Sequence, residues 1–128
     1  MLADDHVALR RTLRRLLERE PDLEVVAEAG DFGSAIREVS RRHPDVVVLD
    51  LRMPGGSITE RVQTMRQESG NTHVVVITME QSQLFAEQTR RAGAIGYVLK
   101  DTADVELCDA VRDAARSVPY ESPRVRQP

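Results

Sequence analysis

Aromatic residues and cysteines are both scarce in this chain. Its 128 residues include two Tyr, two Phe and no Trp, so a surface of rings that stacks on bases or sugars is not expected. Cys108 is the one cysteine, which excludes a disulfide within the chain and is typical of a reducing compartment. Cysteine usage therefore predicts a cytoplasmic protein.

The chain also lacks a strong charge of one sign and a long apolar segment. Its net charge is −3, with acidic and basic residues interspersed, so direct binding to nucleic acid is not expected. No apolar stretch approaches the roughly 20 residues that span a bilayer, and no signal peptide is visible. The composition predicts one globular domain with neither nucleic acid nor membrane as a direct partner.

What the chain does contain is a series of short apolar runs, each closed by a polar residue. Runs of this kind are typical of parallel strands that are buried on both faces. The carboxyl ends of such strands meet along one edge of the sheet, where ligands bind in open α/β folds. The closing residues are, in chain order, Asp4 with Asp5, then Asp50, Thr78 and Lys100.

Between these runs, apolar residues recur at helical spacing and turn residues mark the boundaries. The alternation forms five successive βα units, including a second strand over residues 23–29. It predicts a five-stranded parallel sheet with five helices on its two faces, joined by right-handed crossovers. From Pro119 onward, three prolines and few apolar residues predict an irregular tail over 119–128.

The predicted cluster of polar residues has a specific chemistry. Three neighbouring carboxylates stay ionised only if a cation compensates them, and oxygen ligands of this kind suit Mg²⁺. Asp50 is the candidate nucleophile, because an aspartate carboxylate can accept a phosphoryl group as an acyl phosphate. Lys100 would neutralise phosphoryl oxygens, and the Thr78 hydroxyl would donate to one of them.

Each of these residues has an ordinary structural explanation when it is taken alone. An Asp-Asp pair after an apolar run is more often a turn or a helix cap, and a lone Thr or Lys at a strand end is more often structural or solvated. The functional interpretation therefore depends on the joint order, in which acid pair, single acid, hydroxyl and lysine close strands in successive units.

With these motifs the sequence resembles a response-regulator receiver domain of two-component signalling, in the NarL/FixJ-like subclass that normally carries a helix-turn-helix output domain. The resemblance covers residues 1–118. The segments that carry it are Leu-Ala-Asp-Asp-His at 2–6, Val-Leu-Asp-Leu-Arg-Met-Pro-Gly at 48–55, Val-Ile-Thr-Met at 76–79 and Ala-Gly-Ala-Ile-Gly-Tyr-Val-Leu-Lys-Asp at 92–101.

The resemblance implies a flavodoxin-like (CheY-like) fold with strand order 2-1-3-4-5. It also implies a role for each site residue. Asp50 would be the phosphoacceptor, Asp5 a direct ligand of Mg²⁺ or Mn²⁺, and Asp4 a ligand acting partly through water. The remaining roles are the third protein ligand from the backbone carbonyl of Arg52, contacts to the phosphoryl group from Thr78 and Lys100, and the aromatic switch at Tyr97.

The loop after the phosphoacceptor departs from the family's usual wording. Family members commonly read Met-Pro-Gly-Met-Asp-Gly there, and in this chain Gly56-Ser57-Ile58 replaces the last three residues. The usual glycine at the start of the helix is lost and one is gained two residues earlier. This departure bears on the conformation of the loop and not on the phosphorylation chemistry.

The function implied is that of a signalling switch, not of a conventional enzyme. It would accept a phosphoryl group from a histidine kinase onto Asp50, assist its own phosphorylation and dephosphorylation, and change its interaction surface. A homodimer on activation is expected, and DNA would be reached only through an output domain that is absent here. A phosphohydrolase of the haloacid-dehalogenase type is disfavoured, because Arg52 stands where its second acid belongs. The remaining alternative is an adaptor that keeps the fold without using phosphorylation.

Only three residues precede the acid pair, whereas a typical strand has five or six. In the implied strand order this first strand is central. We therefore expect Met1 to stand where an internal apolar residue belongs, through a missed upstream start or trimming. We also expect a longer first strand to be more stable.

Overall fold

A three-layer α/β architecture is seen in the computed structural model, which describes residues 1–125. Five helices cover the two faces of one parallel sheet, as predicted. The helices are α1 (Val7–Glu18), α2 (Phe32–Arg42), α3 (Ile58–Glu68), α4 (Gln83–Ala92) and α5 (Ala103–Ala115). The strands are β1 (Leu2–Ala3), β2 (Glu28–Ala29), β3 (Val46–Asp50), β4 (His73–Thr78), β5 (Gly96–Leu99) and β6 (Tyr120–Glu121). No helix among these residues is long and apolar enough to cross a membrane.

The sheet has the order β2-β1-β3-β4-β5-β6. The first five strands follow the predicted order, but the prediction of a five-stranded sheet is wrong, because β6 adds a sixth strand parallel to β5. Helix α5 returns the chain to the outer edge of β5, where backbone groups need partners. There the Tyr120 amide donates to the Ile95 carbonyl at 3.0 Å and the Ser122 amide to the Tyr97 carbonyl at 2.9 Å.

Strand β6 lies inside the segment that was expected to be irregular. Its side chains hold it against α5: the carboxylate of Glu106 accepts hydrogen bonds from the Tyr120 hydroxyl at 2.8 Å and from Ser122 Oγ at 2.7 Å. Ser122 Oγ in turn accepts the Leu99 amide proton at 2.9 Å, and Val125 is buried in the core. The part of the tail prediction that concerns residues 126–128 falls outside the described residues.

The alternation of side chains along the central strands creates a separate core on each face of the sheet. One set packs under α1 and α5 and includes Leu2, Val48, Val75, Ile77 and Leu107. The other set packs under α2, α3 and α4 and includes Val47, Leu49, Val62, Val74 and Val76. Burial on both faces explains why the strands are continuous apolar runs in the sequence.

The amino end of β1 lies between its neighbours β2 and β3. The Met1 amine donates to the Val46 carbonyl at 2.9 Å, and β1 begins at the next residue, Leu2. A cavity of about 640 Å³ lies there, lined among others by Met1, Val25, Val26, Pro44 and Val46. The predicted strand over 23–29 forms a ladder only at Glu28–Ala29, because β1 offers just Leu2 and Ala3 as partners.

Candidate functional site

Four strands deliver polar side chains to the carboxyl edge of the sheet, as the sequence predicts. Asp4 follows β1, Asp50 ends β3, Thr78 ends β4, and Lys100 follows β5 at the start of a single 3₁₀ turn (Lys100–Thr102). Because β1, β3, β4 and β5 are successive neighbours in the sheet, these residues lie side by side along one edge.

The acidic residues form a compact cluster. One carboxylate oxygen from each of Asp4, Asp5 and Asp50 lies within 4.8 Å of the other two. Asp4 is 2% exposed and Asp50 is 1% exposed, whereas Asp5 is open to solvent. Two carboxylates are therefore held in the protein interior beside a third that faces water.

Each buried carboxylate has one satisfied oxygen and one free oxygen. Asp4 Oδ1 accepts the His6 amide proton at 2.8 Å, and Asp50 Oδ1 accepts the Arg52 amide proton at 3.0 Å. Asp4 Oδ2 and Asp50 Oδ2 are buried and accept no hydrogen bond from the described residues. Buried polar atoms without a partner are rare in folded proteins and costly.

Burial of Asp4 and repulsion between the negative charges of the acidic cluster both raise the pKa of Asp4. Burial raises the pKa of the Asp4 carboxyl above its usual value, and the nearby negative charge of Asp50 raises it further. Lys100 offsets part of this repulsion, since its Nζ lies 3.2 Å from Asp50 Oδ1. The free oxygen of Asp4, the carboxylate of Asp5 and one carboxylate oxygen of Asp50 form a hard oxygen set that fits Mg²⁺ or Mn²⁺.

Thr78 and Tyr97 are both buried near this edge, at 6% and 4% exposure. Thr78 Oγ1 accepts the Glu80 amide proton at 3.2 Å. The Tyr97 hydroxyl donates to the Glu80 carbonyl at 2.6 Å, and burial raises the pKa of this phenol well above its usual value. The ring of Tyr97 is thus already inside the protein, in the core that also contains Val125.

Two consecutive glycines lie in the loop from Asp50 to α3. Gly55 and Gly56 both have positive φ, 122° and 78°, and a Cβ on Gly55 would lie 3.3 Å from the Cβ of Phe32. Ser57 caps α3, because its Oγ accepts the Glu60 amide proton at 3.1 Å. The backbone of Arg52 adjoins the acid cluster, because its amide donates a hydrogen bond to Asp50 Oδ1.

Sequence reasoning missed one residue of this loop region. Arg61 on α3 is only 7% exposed, and its guanidinium Nη1 donates to the Met53 carbonyl. A signal was present, because Arg61 stands three residues after Ile58 and four before Met65, on the apolar stripe of the helix. A charged residue at such a position is buried only when it has partners.

Comparisons with known proteins point to one protein family. The family model for the response regulator receiver domain matches residues 1–112. The nitrate/nitrite response regulator NarP of Escherichia coli K12 is 39% identical over 127 residues, which is 99% of this chain and 59% of that protein. The transcriptional activator DevR/DosR of Mycobacterium tuberculosis is 39% identical over 119 residues, covering 91% of this chain and 55% of that protein.

Solved structures of response regulators are also similar to this chain in sequence and fold. A LuxR-family two-component response regulator from Aurantimonas is 40% identical with a TM-score of 0.91, over 98% of this chain and 89% of that one. The receiver domain of a NarL-type response regulator from Mycobacterium tuberculosis is 32% identical with a TM-score of 0.83, over 90% and 93% of the two chains. The chain spans a little over half the length of the curated relatives it matches.

Proposed function

Since the chain belongs to the response regulator receiver domain family, we propose that it accepts a phosphoryl group onto Asp50 from a phosphohistidine of a histidine kinase. The observation that carries this proposal is the free, buried Oδ2 of Asp50, in a residue whose carboxylate clusters with those of Asp4 and Asp5. A carboxylate oxygen that has no hydrogen bond keeps its lone pairs available for attack.

The two oxygens of Asp50 have different tasks in this reaction. Oδ1 is held by the Arg52 amide and by Lys100 Nζ, so Oδ2 is the attacking atom. Its bond to phosphorus forms as the bond from phosphorus to the histidine nitrogen breaks, and the imidazole leaves. In-line geometry and neutralisation of the phosphoryl oxygens matter more here than proton transfer.

The remaining site residues would neutralise the charge of the phosphoryl oxygens and orient the phosphoryl group. Mg²⁺ or Mn²⁺, held by Asp4, Asp5, Asp50 and the Arg52 carbonyl, would supply positive charge to the phosphoryl oxygens. Lys100 supplies a second positive charge from the protein side. The Thr78 hydroxyl donates to a phosphoryl oxygen, after which it is no longer held by the Glu80 amide alone.

We further propose a switch that changes the interaction surface around α4, β5 and Tyr97, with homodimer formation on activation. Relatives such as DevR/DosR are named as DNA-binding activators, so DNA would be reached through an output domain and not by this chain. The receiver unit would comprise residues 1–118, with β6 packed onto it, and the relay with the kinase would take place in the cytoplasm.

The test is the intact mass of the chain after incubation with acetyl phosphate and Mg²⁺. We expect one added phosphoryl group, which is lost with EDTA and in Asp50→Asn. The matched control is Asp45→Asn, which removes an acid just before the other end of β3 and should label normally. Equal labelling of Asp50→Asn would refute the proposal, and a folded wild type that never labels would favour the phosphorylation-independent adaptor.

A further inference from the structure

Arg61 is the buried cation that the proposed reaction does not use. Within residues 1–125, no carboxylate lies within 4.0 Å of its guanidinium. Burying an arginine without an ion pair is costly, and burial lowers the pKa of Arg61 from its usual value. The hydrogen-bond partners of the Arg61 guanidinium are therefore uncharged acceptors.

Both contacts are to backbone carbonyls of the loop after Asp50. Nη1 donates to the Met53 carbonyl and Nε lies 3.4 Å from the Ser57 carbonyl. These two carbonyls stand on either side of Gly55 and Gly56. One rigid guanidinium thus ties together both ends of the turn, a task suited to the fork geometry of arginine.

The turn at Gly55 and Gly56 is flexible by composition, so hydrogen bonds from outside it are needed to hold one conformation. Two consecutive glycines at positive φ have more conformational freedom than any other pair of residues, and the free loop would lose much entropy on ordering. Arg52, whose carbonyl is the proposed third metal ligand, directly precedes Met53. Motion of the Met53 carbonyl would therefore displace the Arg52 carbonyl.

We propose that Arg61 is a positioning residue that holds the loop 52–57 in its cation-binding conformation before any cation arrives. This inference rests on the proposed Mg²⁺ site. It explains how the chain tolerates Gly56-Ser57-Ile58 in place of the family's usual Met-Asp-Gly, because Arg61 on helix α3 fixes the loop through hydrogen bonds.

The positive charge of Arg61 would weaken Mg²⁺ binding, whereas positioning of the loop by Arg61 would strengthen it. The positive charge of Arg61 is felt at Asp50 and repels a second cation. If charge were its main contribution, its removal would tighten Mg²⁺ binding. The sign of the change therefore separates positioning from charge.

Three variants make the test. Arg61→Met keeps the length and loses the donors, and Arg61→Lys keeps the charge but offers one nitrogen in place of a fork. The matched control is Arg66→Met on the same helix, since Arg66 Nη1 donates to the Thr72 carbonyl at 2.6 Å, away from the site. Mg²⁺ affinity is measured by calorimetry, and amide exchange of residues 52–57 by mass spectrometry in EDTA.

We expect Arg61→Met and Arg61→Lys to weaken Mg²⁺ binding about tenfold, equivalent to about 1.4 kcal/mol. Amide exchange in the loop should rise several-fold in EDTA, and Arg66→Met should change neither quantity. Unchanged or tighter binding in Arg61→Met would overturn the inference, as would equal weakening in Arg66→Met. If the wild type itself failed to bind Mg²⁺, the proposed function would fall, while loop exchange in EDTA would still decide the role of Arg61.

Discussion

Thr78 and Tyr97 bond to opposite ends of one residue's backbone. Thr78 Oγ1 accepts from the amide of Glu80 and the Tyr97 hydroxyl donates to the carbonyl of Glu80. Any movement of Thr78 Oγ1 toward a phosphoryl group would therefore act on the backbone of Glu80. The Glu80 backbone thus connects Thr78 of the proposed phosphorylation site with the ring of Tyr97 on β5.

We expect this link to carry a conformational change toward α4. Binding of the phosphoryl mimic beryllofluoride should shift the amide NMR signals of Tyr97 and residues 80–92, and Thr78→Val or Tyr97→Phe should suppress the shifts in 80–92. A population shift of this kind requires only a few kcal/mol of differential binding.

The matched control for the ring is Tyr120→Phe, which removes a hydroxyl bonded to Glu106 and not to Glu80. Its response to beryllofluoride should equal that of the wild type. Shifts confined to the loop after Asp50, with none at Tyr97 or 80–92, would argue against the link.

A second prediction concerns the lifetime of the phosphoryl group. Arg52 and Glu80 each lie two residues past a site residue, and both side chains are exposed, so both can flank the path of the attacking water. In this structure Glu80 Oε1 accepts the Ser82 amide proton at 3.1 Å. Replacing both residues with Ala should change the rate of phosphate release more than about twofold, or about 0.4 kcal/mol in barrier; a smaller change would count against the idea.

A third prediction concerns the stability of the acid cluster. In Asp4→Asn, Oδ1 still accepts from the His6 amide, and an NH₂ group replaces the free Oδ2. Relief of charge repulsion should stabilise the chain in EDTA by about 1 kcal/mol, and stabilisation by Mg²⁺ should largely disappear. Thermal melts with and without Mg²⁺ measure both effects. Asp31→Asn, an exposed helix cap outside the cluster, is the control and should show no gain; a loss of stability in Asp4→Asn would contradict the prediction.

The Met1 amine should make stability depend on pH near neutrality. Burial lowers its pKa from 8.0 to about 6, so between these values the unfolded chain binds the proton and the folded chain does not. Stability should therefore rise with pH from about 6 to 8, by about 2 kcal/mol in total. Denaturant unfolding at several pH values measures this rise. Acetylation of the amine should remove it, and an unchanged rise in the acetylated chain would assign it to another group.

A fifth prediction follows from the cavity at the amino end of β1. Replacing Met1 by Arg-Val-Val should continue the strand between residues 24–26 and Val46, adding ladder hydrogen bonds and burying apolar surface at about 25 cal/mol per Å². The melting temperature should rise by about 4 °C or more. Arg-Gly-Gly is the matched control, because it adds backbone without side chains. An equal melting temperature for Arg-Val-Val and the present chain would show that the short strand is fully tolerated.

The sequence predicted the site better than the edges of the sheet. Asp50, Thr78 and Lys100 follow apolar runs that burial on both faces makes conspicuous, so their convergence could be derived from strand order alone. The roles assigned to them stay predictions until they are tested. Arg61 was missed because a charged residue is ordinarily interpreted as exposed, although its spacing from Ile58 and Met65 indicated otherwise.

Strand β6 could not be predicted for a different reason. Its two residues stand between Pro119 and Ser122-Pro123, in a segment with the composition of a loop. What makes it a strand is tertiary: the open edge of β5 and the Glu106 carboxylate that binds Tyr120 and Ser122. Partners that lie far away in the sequence leave no local pattern.

The two outer strands of the sheet are unusually small, and each carries one glutamate that is paired with arginine. Glu28 on β2 pairs with Arg10 and Arg14 of α1, and Glu121 on β6 pairs with Arg90 of α4. Short, charged outer strands are poor templates for adding a strand from another molecule. Within the described residues, both outer strands are therefore unfavourable sites for edge-to-edge aggregation.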